Sequence, residues 1–251
     1  MKSLALALFL ALPCTVFGQT TTNAPAAKPI PEPTSPTTPD NTRYVNKPVL
    51  TKRVDADLAA IQGKPCDIIF IGDSITAGWQ GAGKATWTKE YVPRHALDFG
   101  IGGDKTQNVL WRLENMPVKD LKPKVAVVLI GTNNGMNTPQ EIADGVKAVL
   151  DKTQATFSGV KIILLSIMPN RRANDKMMAV NAIIKGYADD KSIFYLDLVP
   201  VMPPVTTTLP DGKTDTNWKG LGKDHLHPDA SGYVIWSDAM EPLLSKLLAG
   251  G

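Results

Sequence analysis

Ser74 closes the stretch Ile68-Ile69-Phe70-Ile71-Gly72-Asp73-Ser74 and has the setting of a nucleophile. Four apolar residues in a row predict a strand buried on both faces. Gly72 lets the backbone turn sharply where that strand ends. A side chain just past the C-terminal end of a strand in an open α/β sheet stands where ligands bind. A serine hydroxyl needs a base, and the base needs an acceptor that fixes its tautomer. Both are offered by Asp224-His225-Leu226-His227-Pro228. Neutral imidazole, with an ordinary pKa of about 6.5, suits a serine at neutral pH. Asp224 lies three residues before His227, close enough to meet it in a turn. His225 would point the other way in extended backbone. By spacing alone either histidine could serve.

Acyl chemistry at Ser74 also needs hydrogen-bond donors for the negative charge that develops in the transition state. Three sources follow three successive strand-like runs. The Ser74 amide falls at a strand-to-helix turn, where the first N–H groups are free. Phe99-Gly100-Ile101-Gly102-Gly103-Asp104 brings glycines that permit close approach, and Ile130-Gly131-Thr132-Asn133-Asn134 brings side-chain amides. All three would gather at one edge of the sheet, and that convergence outweighs any single motif. Other readings are weaker. The glycines at 100–103 lack the third glycine of a dinucleotide-binding turn, since Lys105 occupies that place. Lys105-Thr106 lacks the upstream spacing of a phosphate loop. Two cysteines and three histidines argue against a disulfide framework and a metal centre, and a histidine pair at 225 and 227 has no clustered partners.

Strand-like runs recur at 67–71, 96–99, 125–130, 162–166 and 193–198, with helical patterns between them. Thr138-Pro139-Gln140-Glu141 is a capping box with proline at the first helical position, ahead of Ile142, Val146, Val149 and Leu150 at helical spacing. Met177, Val180, Ile184 and Tyr187 form a second stripe; Val109, Leu110 and Leu113 form a third. A closing helix carries Tyr233, Trp236, Met240, Leu243, Leu244 and Leu247, with Pro242 expected to kink or break it. Strands alternating with helices predict a parallel sheet covered on both faces. Between residues 199 and 223, prolines, threonines and Asp211-Gly212 read as a long loop leading into the histidines.

The 251 residues divide into three parts. Residues 1–18 read as a secretory signal: Lys2, then an apolar run at 4–12 far short of the roughly 20 residues that span a bilayer. A lipoprotein anchor through Cys14 is disfavoured by Pro13 directly before it. Residues 19–48 carry seven prolines among threonine and alanine and read as an extended linker. Residues 49–251 form the domain. A net charge of +3 without clustering points to neither nucleic acid nor an anionic membrane. The expected product is secreted or periplasmic, with no integral membrane segment in the mature chain.

Four ordered blocks carry a family resemblance: Gly72-Asp73-Ser74, Gly100-Ile101-Gly102-Gly103-Asp104, Gly131-Thr132-Asn133-Asn134 and Asp224-His225-Leu226-His227. Together with Val109-Leu110-Trp111-Arg112-Leu113-Glu114-Asn115, they make residues 65–248 resemble the SGNH (GDSL) hydrolases. The similarity is strongest to the branch of brain-type platelet-activating-factor acetylhydrolase catalytic subunits and bacterial GDSL acetylesterases. The resemblance implies a flavodoxin-like three-layer α/β/α sandwich with a five-stranded parallel sheet and no cofactor. It implies Ser74 as nucleophile, His227 as base and Asp224 as the acid that orients it. It implies the Ser74 and Gly103 amides and the Asn133 side chain as oxyanion donors, and leaves His225 as a structural or pocket residue.

The resemblance implies a serine esterase that favours short acyl groups, acetyl above all, and the export signal favours acetylated carbohydrate as its substrate. Trp79, Trp87 and Trp218 could stack on sugars, and Asp73, Asn134 and His225 are further candidates for contacting substrate. A phospholipid acetylhydrolase, a lysophospholipase-like esterase and a catalytically silent carbohydrate-binding module are the rival expectations.

Overall fold

The computed structural model describes residues 51–250. The signal and linker readings, and Cys14, lie outside the described residues. The five apolar runs form one parallel sheet of β1 (Ile68–Gly72), β2 (Ala96–Gly100), β3 (Val125–Leu129), β4 (Lys161–Leu165) and β5 (Ile193–Leu196), in the order β2-β1-β3-β4-β5. β1 lies between β2 and β3, with Gly72 opposite Gly100 on one side and Leu129 on the other. The chain runs from β1 outward to β2 and from β3 the opposite way to β4, so a crevice opens between the C-terminal ends of β1 and β3, where ligands bind in folds of this order.

Successive strand side chains point to opposite faces, and each face builds its own core. Ile69, Ile71, Leu97, Phe99, Ala126, Val128, Ile162 and Leu164 pack beneath α1 (Lys52–Ile61), α3 (Thr106–Asn115), α4 (Pro139–Thr156) and α5 (Asn174–Ile184). Ile68, Phe70, Val127, Leu129, Ile163 and Leu165 face the segment from α2 (Ser74–Ala77) to the helical turns at 84–94, and the closing helix α6 (Ala230–Leu248). The three apolar stripes read from sequence supply the helices' buried faces. α4 starts at the expected capping box: Thr138 Oγ1 accepts from the Glu141 amide at 3.3 Å, and Glu141 Oε2 from the Thr138 amide at 2.7 Å.

Three expectations are corrected. Trp79 and Trp87 offer no face to a sugar; they are 0% and 5% exposed. Trp79 lies 4.5 Å from the Tyr233 ring, 4.8 Å from Trp236 and 5.9 Å from Phe70, centroid to centroid. The cluster fixes α6 against β1, and the Tyr233 hydroxyl adds a bond to the Ile75 carbonyl at 2.6 Å. Pro242 does not end α6, which runs on to Leu248. The segment at 199–223 is not a plain loop. It contains an antiparallel hairpin, β6 (Pro204–Thr208) paired with β7 (Thr214–Trp218). Threonine's branched Cβ favours strand, and the tip turns on Gly212 at φ 82°, whose amide donates to the Leu209 carbonyl. Every β6 residue is exposed, so no buried face writes an alternating pattern into the sequence.

The close strand ends leave no room at Gly72. A Cβ there would lie 2.4 Å from the Leu129 carbonyl oxygen and 2.1 Å from Thr76 Oγ1. Since backbone cannot step aside, Gly72→Ala is expected to lose about 3 kcal/mol or more, the upper end for overpacking. Urea unfolding measures it; a change below about 1 kcal/mol would show that the strand ends yield.

Candidate active site

Ser74 is the first residue of α2, directly beyond β1. Asp73 caps that helix, its Oδ1 accepting from the Ile75 amide at 2.9 Å. Ser74 Oγ lies 2.8 Å from His227 Nε2, and His227 Nδ1 lies 2.5 Å from Asp224 Oδ2. A tight turn presents the two late residues. Asp224 Oδ1 accepts from the backbone amides of Leu226 at 3.2 Å and His227 at 3.0 Å, and the Gly222 amide donates to the His227 carbonyl at 2.8 Å. Buried Leu226 anchors the turn. Partial burial works against ionisation of Asp224. The hydrogen bonds from His227 and Leu226, with the imidazole's proximity, nonetheless hold its carboxyl below the usual range.

This turn decides between the histidines. His225 takes φ 55°, and its Nε2 lies 3.4 Å from Asp215 Oδ2 on β7, away from Ser74. His227 alone reaches the serine. The Asp224–His227 spacing was legible because a three-residue turn closes locally.

A buried network holds the other side. Arg112 of α3 is fully buried, and so is Asp104, whose Oδ2 takes the Arg112 Nε–H at 2.8 Å. The guanidinium also donates to the Phe99 carbonyl at 2.7 Å and the Gly72 carbonyl at 3.2 Å, and lies 4.2 Å from the Phe99 ring centroid. It therefore ties the ends of β1 and β2 to the turn between them and α3. Asn133 Nδ2 joins β3 to the same knot, donating to the Asp104 carbonyl at 2.9 Å and to Asp73 Oδ2 at 3.2 Å. In the turn Ile101–Asp104, closed by the Asp104 amide to the Ile101 carbonyl, Gly103 sits at φ 76°, where a side chain would be strained. The Gly103 amide makes no hydrogen bond among the described residues. A Cβ on Gly102 would lie 3.8 Å from the Ser74 Cβ, which sets this turn beside the serine.

The structure therefore brings Ser74, His227 and Asp224 into one chain and places Asn133 and the Gly102-Gly103 turn near it. Three expected substrate contacts do not stand. Asp73 is fully buried and works through Ile75 and Asn133. Asn134 is 1% exposed and bonded to Thr106 and Gln107. Trp79 belongs to the core. Trp218 differs from these: it packs against the α6-side core but is only half-buried, so part of its surface stays open. Sequence reasoning passed over Arg112 and Asp104. The available signal was an arginine between Leu110 and Leu113 on an apolar helix stripe, which demands a buried carboxylate.

Residues 70–235 match the model of the GDSL-like Lipase/Acylhydrolase family. The chain belongs to that family. It is 31% identical over 203 residues to platelet-activating factor acetylhydrolase IB subunit alpha1 of Rattus norvegicus, covering 76% of this chain and 81% of that one. It is 40% identical over 119 residues to subunit alpha2 of Homo sapiens, covering 47% and 51%. Among solved structures, a carbohydrate esterase family 3 protein from Talaromyces cellulolyticus shares the fold with a TM-score of 0.52 at 18% identity, over 74% of this chain and 99% of that one. A lipolytic protein G-D-S-L family member from Veillonella parvula does so with a TM-score of 0.54 at 16% identity, over 72% and 98%. As a GDSL-like acylhydrolase the protein is a carboxylic ester hydrolase.

Two outcomes follow for this GDSL domain. Arg112→Met leaves the Asp104 carboxylate buried without its counter-charge, so a loss of about 3–5 kcal/mol is expected on urea unfolding. A loss under about 1 kcal/mol would mean that the pair organises nothing. Burial, reinforced by the neighbouring Asp104 charge, pushes the Asp73 carboxyl up to about 7, and burial pushes Asp98 up to about 6. Both native values lie above the unfolded one, so between about pH 4 and pH 7 the folded state holds protons that the unfolded state releases. Stability should fall as pH rises through that window, and the melting temperature should drop from about pH 5 to about pH 7.5. The drop should be smaller in Asp98→Asn; a melting temperature that rises instead would contradict both shifts.

Proposed function

We propose that this chain is an exported serine esterase that removes short acyl groups, acetyl foremost, from acetylated carbohydrate. The observation that carries the reading is the unbroken chain from Ser74 Oγ through His227 to Asp224, at 2.8 and 2.5 Å. With Nδ1–H given to Asp224, the His227 Nε2 is an acceptor for the serine proton. Ser74 Oγ bonds to the ester carbon while His227 takes that proton. The tetrahedral oxyanion is held by the Ser74 and Gly103 amides and by Asn133. The bond to the alcohol then breaks, and His227 returns the proton to the leaving oxygen. Water, deprotonated by His227, attacks the acyl carbon; the carbon–Oγ bond then breaks, His227 returns the proton to Ser74 Oγ, and the acid leaves. Both Asn133 Nδ2 hydrogens are engaged without substrate; the longer bond, 3.2 Å to Asp73, is the one to yield to the oxyanion.

The acyl preference is supported by relatives named acetylhydrolases and by a structural neighbour titled acetyl esterase. The carbohydrate preference is supported by the neighbour titled carbohydrate esterase and by the signal reading of residues 1–18. A second reading, an acetyl-bearing phospholipid as substrate, is favoured by the names of the curated relatives.

Hydrolysis of p-nitrophenyl acetate, butyrate and octanoate, compared with acetylated xylo-oligosaccharide and an acetyl phospholipid, tests this. The expected result is activity that falls with chain length, favours the sugar ester and vanishes in Ser74→Ala. Preference for the phospholipid would select the second reading; a Ser74→Ala enzyme at full rate would remove the serine from the mechanism. Asn133→Ala is expected to lower kcat by about 10²–10³-fold. Asp224→Ala should cost less than His227→Ala. An Asn133→Ala rate near wild type would take that amide out of the oxyanion site.

A further inference from the structure

The base has less regular structure around it than the nucleophile. Ser74 follows directly on a fully buried strand, whereas Asp224 and His227 stand in a turn outside the named helices and strands. Their side chains are 49% and 38% exposed. A general base must nonetheless hold its place closely, because a misplacement of about 1 Å can cost about 10²-fold in rate. Buried Leu226 anchors one point of the turn. Further constraints come from the β6–β7 hairpin and from the loop after β4.

Asn217 of β7 supplies the first. Its Nδ2 donates at 3.1 Å to each of the carbonyls of Leu221 and Gly222, and its Oδ1 accepts from the Trp218 amide at 2.9 Å. Gly222 in turn meets the base: its amide donates to the His227 carbonyl at 2.8 Å, and its carbonyl also accepts from the His225 amide at 3.0 Å. Two hydrogen bonds therefore link Asn217 to the His227 backbone. Arg171 supplies the second constraint. Its backbone amide donates to the His225 carbonyl at 3.1 Å. Its guanidinium donates to Asp215 Oδ1 and, at 2.9 Å, to the Thr216 carbonyl, both on β7. Asp215 Oδ2 also lies 3.4 Å from His225 Nε2. The turn is thus held at Gly222 by Asn217 and at His225 by Arg171 and Asp215.

We infer that the hairpin is the mount of the catalytic base, and that Asn217 and Arg171 are positioning residues that act on His227 through the backbone of its turn. This rests on the Ser74–His227–Asp224 reading above and on no particular alcohol in the ester. It gives the hairpin a role that its exposed β6 strand does not fill as core, since β7 carries Asp215, the Thr216 carbonyl and Asn217 to the bonds that hold the turn.

Hydrolysis of p-nitrophenyl acetate by variants of the full chain tests this. Acylation and deacylation both pass through His227, so Asn217→Ala should lower kcat about ten- to a hundredfold and leave KM within about twofold. Arg171→Met breaks a tie whose arginine is 51% exposed, and should lower kcat about threefold. The double variant separates positioning from general damage. His227→Ala/Asn217→Ala should be no slower than His227→Ala, because a base that is absent cannot be misplaced. If the second substitution costs that double variant as much as it costs the wild type, Asn217 acts on the fold at large and the mount is overturned. Wild-type kcat in both Asn217→Ala and Arg171→Met, with Ser74→Ala and His227→Ala strongly impaired, overturns the mount and leaves the triad. Where Asn217→Ala does not fold, Arg171→Met enters the same cycle with His227→Ala, and additive losses there overturn the mount. A His227→Ala enzyme at the wild-type rate removes the triad reading itself.

Discussion

The buried ion pair between Arg112 and Asp104 is the constraint on which the site depends. An arginine with no exposed surface is tolerable only when its donors are matched, and here they are spent on one carboxylate and two carbonyls. Those carbonyls belong to Gly72 and Phe99, at the ends of neighbouring strands. The pair therefore sets the position of the Ser74 turn relative to the Gly102-Gly103 turn. Its geometry is costly to disturb because removing one member leaves a lone buried charge, which is worse than removing both. That cost makes the strand ends a rigid platform.

Asn133 extends the platform to β3. Its amide bridges the Asp104 carbonyl and the Asp73 carboxylate, so the three strand ends are cross-linked by side chains as well as by the sheet ladder. Asp73 carries the burden of that position. It caps α2, accepts from Asn133 and lies out of water, with the Asp104 charge close enough to raise its carboxyl further. A residue so placed belongs to the scaffold beneath the strand ends rather than to an exposed surface.

The opposite wall is built by other means. Asp224 folds its own turn by accepting the Leu226 and His227 amides, and the same side chain orients the imidazole through its second oxygen. One carboxylate thus sets both backbone and tautomer. Arg171 then joins that turn to the hairpin, whose β6 strand is exposed along its whole length. Where the first wall draws rigidity from a desolvated charge pair, this one draws it from hydrogen bonds near the surface.

By itself the sequence determined whatever local physics controls. Runs of branched apolar residues made the five strands, helical spacing made the buried stripes, and Thr138 with Glu141 marked the start of α4. The order of the Gly-Asp-Ser, Gly-Gly-Asp, Thr-Asn-Asn and Asp-His-Leu-His blocks placed the candidate site at the sheet edge. Tertiary structure decided what depends on partners distant in the chain. Tryptophan has the same face whether it meets a sugar or Tyr233, so only packing showed that Trp79 and Trp87 are core. Arg112 read as part of a helix until Asp104, Phe99 and Gly72 closed around it. The hairpin at 204–218 was hidden because an exposed strand needs no alternating pattern. The two histidines were equal by spacing, and the turn through Asp224, with Asp215 across from His225, separated them.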